Sequence, residues 1–234
     1  MALGTGSPPP LLSVVVMAFD EAANLEPVVL EIRGTLDRLA VSAEILIVDD
    51  GSTDGTAAVA DRLAREVREA RVVHHPQNRG LGGVYRTGFA EARGELLTFF
   101  PADGQFPASI LEAFVPAIEG RDLVVGHVAR RDSALGRALS LCERAAYRAL
   151  IGRLPRFQGV FLVRRARLRE MPLRSEGRGW TIVMEMLARA VRAGWRIESL
   201  PTPLRPRRSG RSKVQDVRTV WANTREMFAL RRRL

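Results

Sequence analysis

Cysteine and lysine are almost missing from this chain: Cys142 and Lys213 stand alone among 234 residues. A single cysteine excludes an intramolecular disulfide framework and any cysteine-based zinc cluster. Long hydrophobic runs are also absent. The longest, Leu11 to Phe19, is interrupted by Ser13 and falls well short of the roughly eighteen residues a membrane helix needs. It follows prolines rather than a basic stretch, so it does not read as a signal peptide. Glycine-rich phosphate loops are missing as well. No G-x-x-x-x-G-K-[ST] occurs, and the turn Met17-Ala18-Phe19-Asp20-Glu21 contains no glycine. Gly80-Leu81-Gly82-Gly83 comes after a later strand and lacks the third glycine of G-x-G-x-x-G. The chain reads as soluble and intracellular, with no glycine-rich cradle for phosphate.

What it has is arginine, unevenly spread. Lys and Arg number 36 against 26 Asp and Glu, a formal net charge of +10. Residues 129–174 carry twelve Arg against Asp132, Glu143 and Glu170, a net of +9. Residues 203–234 carry nine Arg and Lys213 against Asp216 and Glu226, a net of +8. The remainder is acidic, at −7. Two basic segments on an acidic body point to an anionic partner: nucleic acid, a phosphorylated ligand or an anionic membrane surface. A hydrophobic share of 46% is globular composition with enough material for one sizeable core.

Residues 1–10 form a small-residue and proline leader, expected to be disordered. Short apolar runs then alternate with helix-period segments. Strands are expected over Leu12–Ala18, Glu44–Val48, Arg71–His74, Glu95–Phe100 and Asp122–Val125, with helices over Glu21–Leu39, after Asp54-Gly55-Thr56, over Gly80–Ala92 and over Ser109–Ile118. The second half predicts strands over Gly159–Val163 and Trp195–Leu200, and a helix over Thr181–Ala193. It also predicts basic amphipathic helices over Ala134–Leu154 and Asp216–Leu234. Such alternation indicates an α/β fold with a mainly parallel central sheet, whose ligands bind beyond the carboxyl ends of the strands. Three polar clusters fall at such ends: Asp20-Glu21, Asp49-Asp50-Gly51-Ser52 and Asp103-Gly104-Gln105. Any one alone is more simply a turn or helix cap. Together they mark a site.

Carboxylate and amide oxygens are hard ligands suited to Mg2+ or Mn2+, which bind diphosphates. A carboxylate after the second strand can also hydrogen-bond a base or a ribose hydroxyl. The expected ligand is a nucleotide carrying a diphosphate. His74 and His75, adjacent on a strand, face opposite sides, so a shared metal site is not expected. Cys142 lies on the apolar side of its segment and reads as packing.

The segments Val14–Leu25, Ile47–Thr56 (IVDDGSTDGT), Asn78-Arg79-Gly80-Leu81-Gly82 and Arg207–Lys213 (RRSGRSK) resemble the family 2 glycosyltransferases. Within that family the chain is similar to the dolichol-phosphate mannosyltransferase and polyprenyl-phosphate glycosyltransferase branch. The resemblance spans about Val14 to Lys213. It implies a GT-A (Rossmann-like) fold, a nucleotide-sugar donor of the GDP-mannose or UDP-glucose class, a polyprenyl-phosphate acceptor and inversion at the anomeric carbon. By position, Phe19, Glu21, Asp49, Asp50 and Ala102 would line the donor nucleotide. Asp103 and Gln105 match the D-x-D-x-Q metal motif, whose first aspartate is Pro101 here. Arg207, Ser212 and Lys213 would hold acceptor phosphate or donor diphosphate. The arginine of the family's G-S-R segment is Val128 here, with Arg130 or Arg131 as substitutes. Met17 and Asp20 replace a usual proline and asparagine.

An acceptor phosphate is already ionised at neutral pH and needs little base assistance. Catalysis would rest on positioning and on neutralising the leaving diphosphate, with Asp103, Arg207 and Lys213 as the central residues. Glu185 lies where other GT-A enzymes carry a catalytic base, and a structural role is equally open to it. The expected organisation is a glycosyltransferase domain over residues 11–213 and a basic C-terminal helix over 214–234. The expected location is the cytoplasmic face of an anionic membrane, with a separate membrane subunit as a further partner. The alternatives are another acceptor, a sugar-nucleotide-binding homologue with impaired turnover, and, least favoured, nucleic-acid binding. No stacking-aromatic or helix-turn-helix signature accompanies the basic tail.

Overall fold

A computed structural model describes residues 9–128, 152, 154–206 and 230. The described elements run β1 (Leu12–Ala18), α1 (Ala22–Leu39), β2 (Ala43–Asp49), α2 (Thr56–Glu66), β3 (Ala70–His74), α3 (Gly80–Glu91), β4 (Leu96–Pro101), α4 (Ile110–Ala117), β5 (Leu123–Val128), β6 (Phe161–Arg164), α5 (Arg165–Arg169), α6 (Thr181–Arg192) and β7 (Ile197–Thr202).

Seven strands form one sheet in the order β3-β2-β1-β4-β6-β5-β7. All adjacent pairs are parallel except those of β6, which runs antiparallel to β4 and β5. The central strands β1, β2 and β4 are buried on both faces, which explains why they read as continuous apolar runs. Side chains alternate between two clusters. Val14, Val16, Ile45, Ile47 and Phe100 pack beneath α1, α2 and α4. Val15, Met17, Leu46, Val48, Leu97 and Phe99 pack beneath α3 and α6. β1 sits between β2 and β4, so the chain turns to opposite sides of it. The carboxyl ends of these three strands therefore lie side by side, where an α/β sheet of this order has its ligand crevice.

The expected α/β architecture is what the chain adopts. The strand expected from Gly159 instead begins at Phe161, because Gly159 adopts φ +92° against the Phe106 ring. The five-residue helix α5 has too few turns to leave a periodic signal. Of the expected leader, Pro10 is in place: its carbonyl accepts the Glu95 N–H at 3.2 Å. The basic helices expected over Ala134–Leu154 and Asp216–Leu234, and Cys142, lie outside the described residues apart from Gly152, Leu154 and Leu230. Leu230 is 1% exposed and packs in the cluster beneath α3 and α6, so the chain faces protein at that point. No described helix is long and apolar enough to cross a membrane.

Candidate functional site

The loops after β1 and β2 are fastened to each other. Asp20, at φ +48°, donates its N–H to Ser52 Oγ at 2.9 Å and accepts the Thr53 N–H on Oδ1 at 2.8 Å. The Glu21 N–H meets Thr56 Oγ1 at 2.8 Å, and the Ala22 N–H meets Asp54 Oδ2 at 3.2 Å. Asp54 Oδ1 also accepts the Thr56 N–H at 3.0 Å, while the N-cap itself is Gly55 at φ +94°. Burial raises the Asp54 carboxyl, but hydrogen bonds from Thr56 and Ala22 outweigh it and hold the group below its ordinary value. Gly51 is required twice over: its φ is +71°, and a Cβ there would lie 2.6 Å from the Gln77 carbonyl carbon. Ser52, Thr53, Asp54 and Thr56 thus shape the loops that carry Phe19 and Glu21. Phe19 is half-buried, and Glu21 is buried with Oε2 bonded to Asn24 Nδ2.

Asp49 ends β2 and Asp50 follows it, each 2% exposed. Asp49 Oδ1 accepts the Ser52 N–H at 3.2 Å, and its Oδ2 lies 2.9 Å from His74 Nδ1. Asp50 accepts the N–H groups of Arg79 and Gly80, both at 2.8 Å, and meets His75 Nδ1 at 2.6 Å. Both carboxylates therefore brace the loops around the crevice. The two histidines do face opposite sides, each with its own aspartate. His75 Nε2 reaches Thr87 Oγ1 on α3 at 2.7 Å. Sequence reading missed these pairs, and the signal was in the register: β2 and β3 are parallel with Asp49 opposite His74.

At the end of β4, Ala102 is 1% exposed and donates its N–H to the Met17 carbonyl at 2.9 Å. Asp103 Oδ1 accepts the Gln105 N–H at 3.0 Å, which puts both oxygen-bearing side chains on one bend at Gly104. Pro101 contributes no ligand atom to it. Among the described residues no cluster of three or more His, Cys, Asp or Glu could hold a metal. The bend fits an ion that takes two protein oxygens and completes its shell with diphosphate oxygens and water, as Mg2+ and Mn2+ do.

Beside the bend runs the strand-exit segment of β7. The Arg205 N–H donates to the Gln105 carbonyl at 2.8 Å, and Arg205 Nη1 contacts both oxygens of Glu31, at 2.9 and 3.1 Å. Glu31 in turn accepts the Ala108 N–H at 3.1 Å. Arg205 was not foreseen as a site residue. Arg207, Ser212 and Lys213, which follow it, lie outside the described residues, as do Arg130 and Arg131.

Glu185 is fully buried on α6. Its Oε1 accepts from Arg174 N at 3.1 Å and Arg189 Nε at 2.8 Å, and its Oε2 from Arg174 N at 3.0 Å and Ser175 N at 2.7 Å. Of the two roles open to it, the geometry carries the structural one. This buried carboxylate anchors the backbone at Arg174 and Ser175 and pairs with Arg189, which is structural work. The 174–180 segment lies over the start of α3. The Gly82 N–H donates to the Arg178 carbonyl at 2.9 Å, and Arg86 Nη1 reaches the carbonyls of Ser175 and Gly177 at 3.1 and 3.2 Å.

The sheet and these loops at the carboxyl ends of β1, β2 and β4 are those of an α/β protein of the GT-A glycosyltransferase fold. Mannosyl-3-phosphoglycerate synthase from Rubrobacter xylanophilus superposes with a TM-score of 0.74 at 20% identity, over 96% of this chain and 74% of that one. Glucosyl-3-phosphoglycerate synthase from Mycobacterium tuberculosis, in complex with Mn2+ and UDP-glucose, gives 0.70 at 23% identity over 94% and 77%. The family model for glycosyl transferase family 2 matches residues 13–170, and the chain belongs to that family. Its curated relatives include the undecaprenyl-phosphate mannosyltransferase of Micrococcus luteus, 30% identical over 77% of this chain and 79% of that protein. Glycosyltransferase AglD of Haloferax volcanii is 30% identical over 89% of this chain, which spans about a third (35%) of AglD.

Proposed function

We propose that this protein is an inverting transferase that moves a hexose from a nucleoside-diphosphate sugar to a polyprenyl phosphate. The observation that carries this reading is the bond between the Arg205 N–H and the Gln105 carbonyl. It puts Arg205, two residues before the R-x-x-G-x-S-K segment, beside the D-x-Q bend, which supports reading donor diphosphate and acceptor phosphate as bound near each other. The names of the relatives support it: a dolichol-phosphate mannosyltransferase of Saccharomyces cerevisiae is 27% identical over 83% of this chain.

In this reading Phe19, Glu21, Asp49, Asp50 and Ala102 form the donor's floor and walls. A divalent ion held by Asp103 and Gln105, as Mn2+ accompanies UDP-glucose in the mycobacterial neighbour, would neutralise charge on the diphosphate. Arg207, Ser212 and Lys213, with Arg130 or Arg131, bind the acceptor phosphate, for which the planar guanidinium fork is well suited. A phosphate oxygen attacks the anomeric carbon from the face opposite the leaving group. The carbon–oxygen bond to the nucleoside diphosphate breaks as the new one forms. The nucleophile is already an anion, so the reaction needs no protein base, consistent with the engagement of Glu185. The arginine excess of residues 129–174 and 203–234 supports action at an anionic membrane surface, with its cytoplasmic face the proposed location.

The test offers labelled GDP-mannose or UDP-glucose with Mg2+ or Mn2+ and, in parallel, a short polyprenyl phosphate or 3-phosphoglycerate. Lipid-borne label is the expected product. Label only on phosphoglycerate assigns another acceptor, and nucleotide binding without transfer to either assigns a homologue without turnover.

A further inference from the structure

His74 ends β3 between two carboxylates. Its Nδ1 lies 2.9 Å from Asp49 Oδ2 and its Nε2 lies 3.1 Å from Asp61 Oδ1 on α2. A neutral imidazole has one N–H and one lone pair, so it donates to one carboxylate and turns a lone pair on the other. Both contacts are attractive together only when both ring nitrogens carry protons. We propose that His74 is a positioning residue for the donor site: held as an imidazolium between Asp49 and Asp61, it fixes the Asp49 carboxylate and, through it, the loop after β1. The proposal rests on reading that loop as the nucleotide donor's.

The path is short. Asp49 Oδ1 accepts the Ser52 N–H at 3.2 Å, and Ser52 Oγ accepts the Asp20 N–H at 2.9 Å. Asp20 lies between Phe19 and Glu21. The charged groups facing the ring are Asp49 from β2 and Asp61 from α2, while His75 points away toward Asp50 and Thr87. Burial pushes the ring toward neutrality, but its hydrogen bonds to Asp49 and Asp61 outweigh this and raise its pKa above the ordinary value. The pairing does not serve a metal, since neither aspartate belongs to the D-x-Q bend.

The experiment is an NMR pH titration of the ring nitrogens, with His74→Gln to assign the signal among three histidines. The expected result is a midpoint above about 6.5, and a lower midpoint in Asp61→Asn. The Ser52 and Asp20 amide shifts should follow the same midpoint, and affinity for GDP or UDP with Mn2+ should weaken severalfold above it. A ring carrying one proton at pH 6, or Ser52 and Asp20 amides that stay flat while the ring titrates, overturns the proposal. If neither nucleotide binds at any pH, the donor reading fails, and the ring and amide titrations still decide the role of His74.

Discussion

Glu185 shows how much a residue's neighbours decide its chemistry. A glutamate on a helix near a transferase site invites assignment as a base, but four hydrogen bonds from protein donors occupy its two oxygens. Glu185→Gln replaces an acceptor oxygen by a donor facing backbone N–H groups, and should destabilise the fold by roughly 3–5 kcal/mol, the scale of a broken buried ionic contact. Thermal melts measure this. Unchanged stability with loss of the acidic limb of the pH–rate profile would return Glu185 to catalysis. The residue types of the candidate site were legible in the sequence, because Asp-Asp-Gly-Ser and Asp-Gly-Gln after apolar runs are strand-end chemistry whatever the fold. Their partners were not. That Asp49 meets His74 and Asp50 meets His75 follows from strand register, which a local pattern does not encode.

The elements show a similar division. The strong two-sided apolar runs of β1, β2 and β4 announce a buried parallel sheet, and their helices follow from periodicity. The 174–180 segment has no such signature. It is held by long-range bonds to α3 and α6, and by glycines whose need arises only in three dimensions. A Cβ on Gly82 would lie 2.0 Å from the Gly177 carbonyl oxygen and 2.7 Å from that of Gly179. Gly82→Ala should therefore displace the segment and destabilise the protein by about 1–3 kcal/mol, the range for overpacking. Denaturant unfolding checks it, and a variant as stable as the parent would show that the segment yields freely.

For the whole molecule, the uneven charge has a more specific meaning than its total suggests. Several arginines of the 129–174 stretch serve the fold. Arg165 donates to the carbonyls of Ala92, Arg93 and Gly94, Arg164 to those of Ile118 and Arg121, and Arg167 to Asp122. Part of that positive charge thus caps helices and loops away from the crevice, and only the remainder is available to an anionic partner. The same networks set the pH response. Burial raises Glu44 and Asp122, but hydrogen bonds from Arg71, Ser13 and Arg93 to the first, and from Arg196 and Arg167 to the second, leave both pKa values lowered. Their stabilisation is present above the unfolded carboxylate range and is lost as pH falls through the folded values. For His74 the sign is opposite: its contribution is complete below about pH 6.5 and is lost as pH rises through its elevated value. Melting temperature should therefore fall on both flanks, with Asp61→Asn flattening the alkaline flank. An unaltered alkaline flank in that variant would detach His74 from stability.

The central claim is that the crevice at the ends of β1, β2 and β4 transfers a hexose to a lipid phosphate through the bend at Asp103 and Gln105. The most direct measurement incubates the parent protein and Asp103→Ala with the same labelled nucleotide sugar, polyprenyl phosphate and divalent ion, and follows label into the organic phase. The expected result is lipid-borne label from the parent and a loss of about a hundredfold or more in the variant, the scale on which electrostatic groups act in catalysis. Equal transfer by both proteins would contradict it.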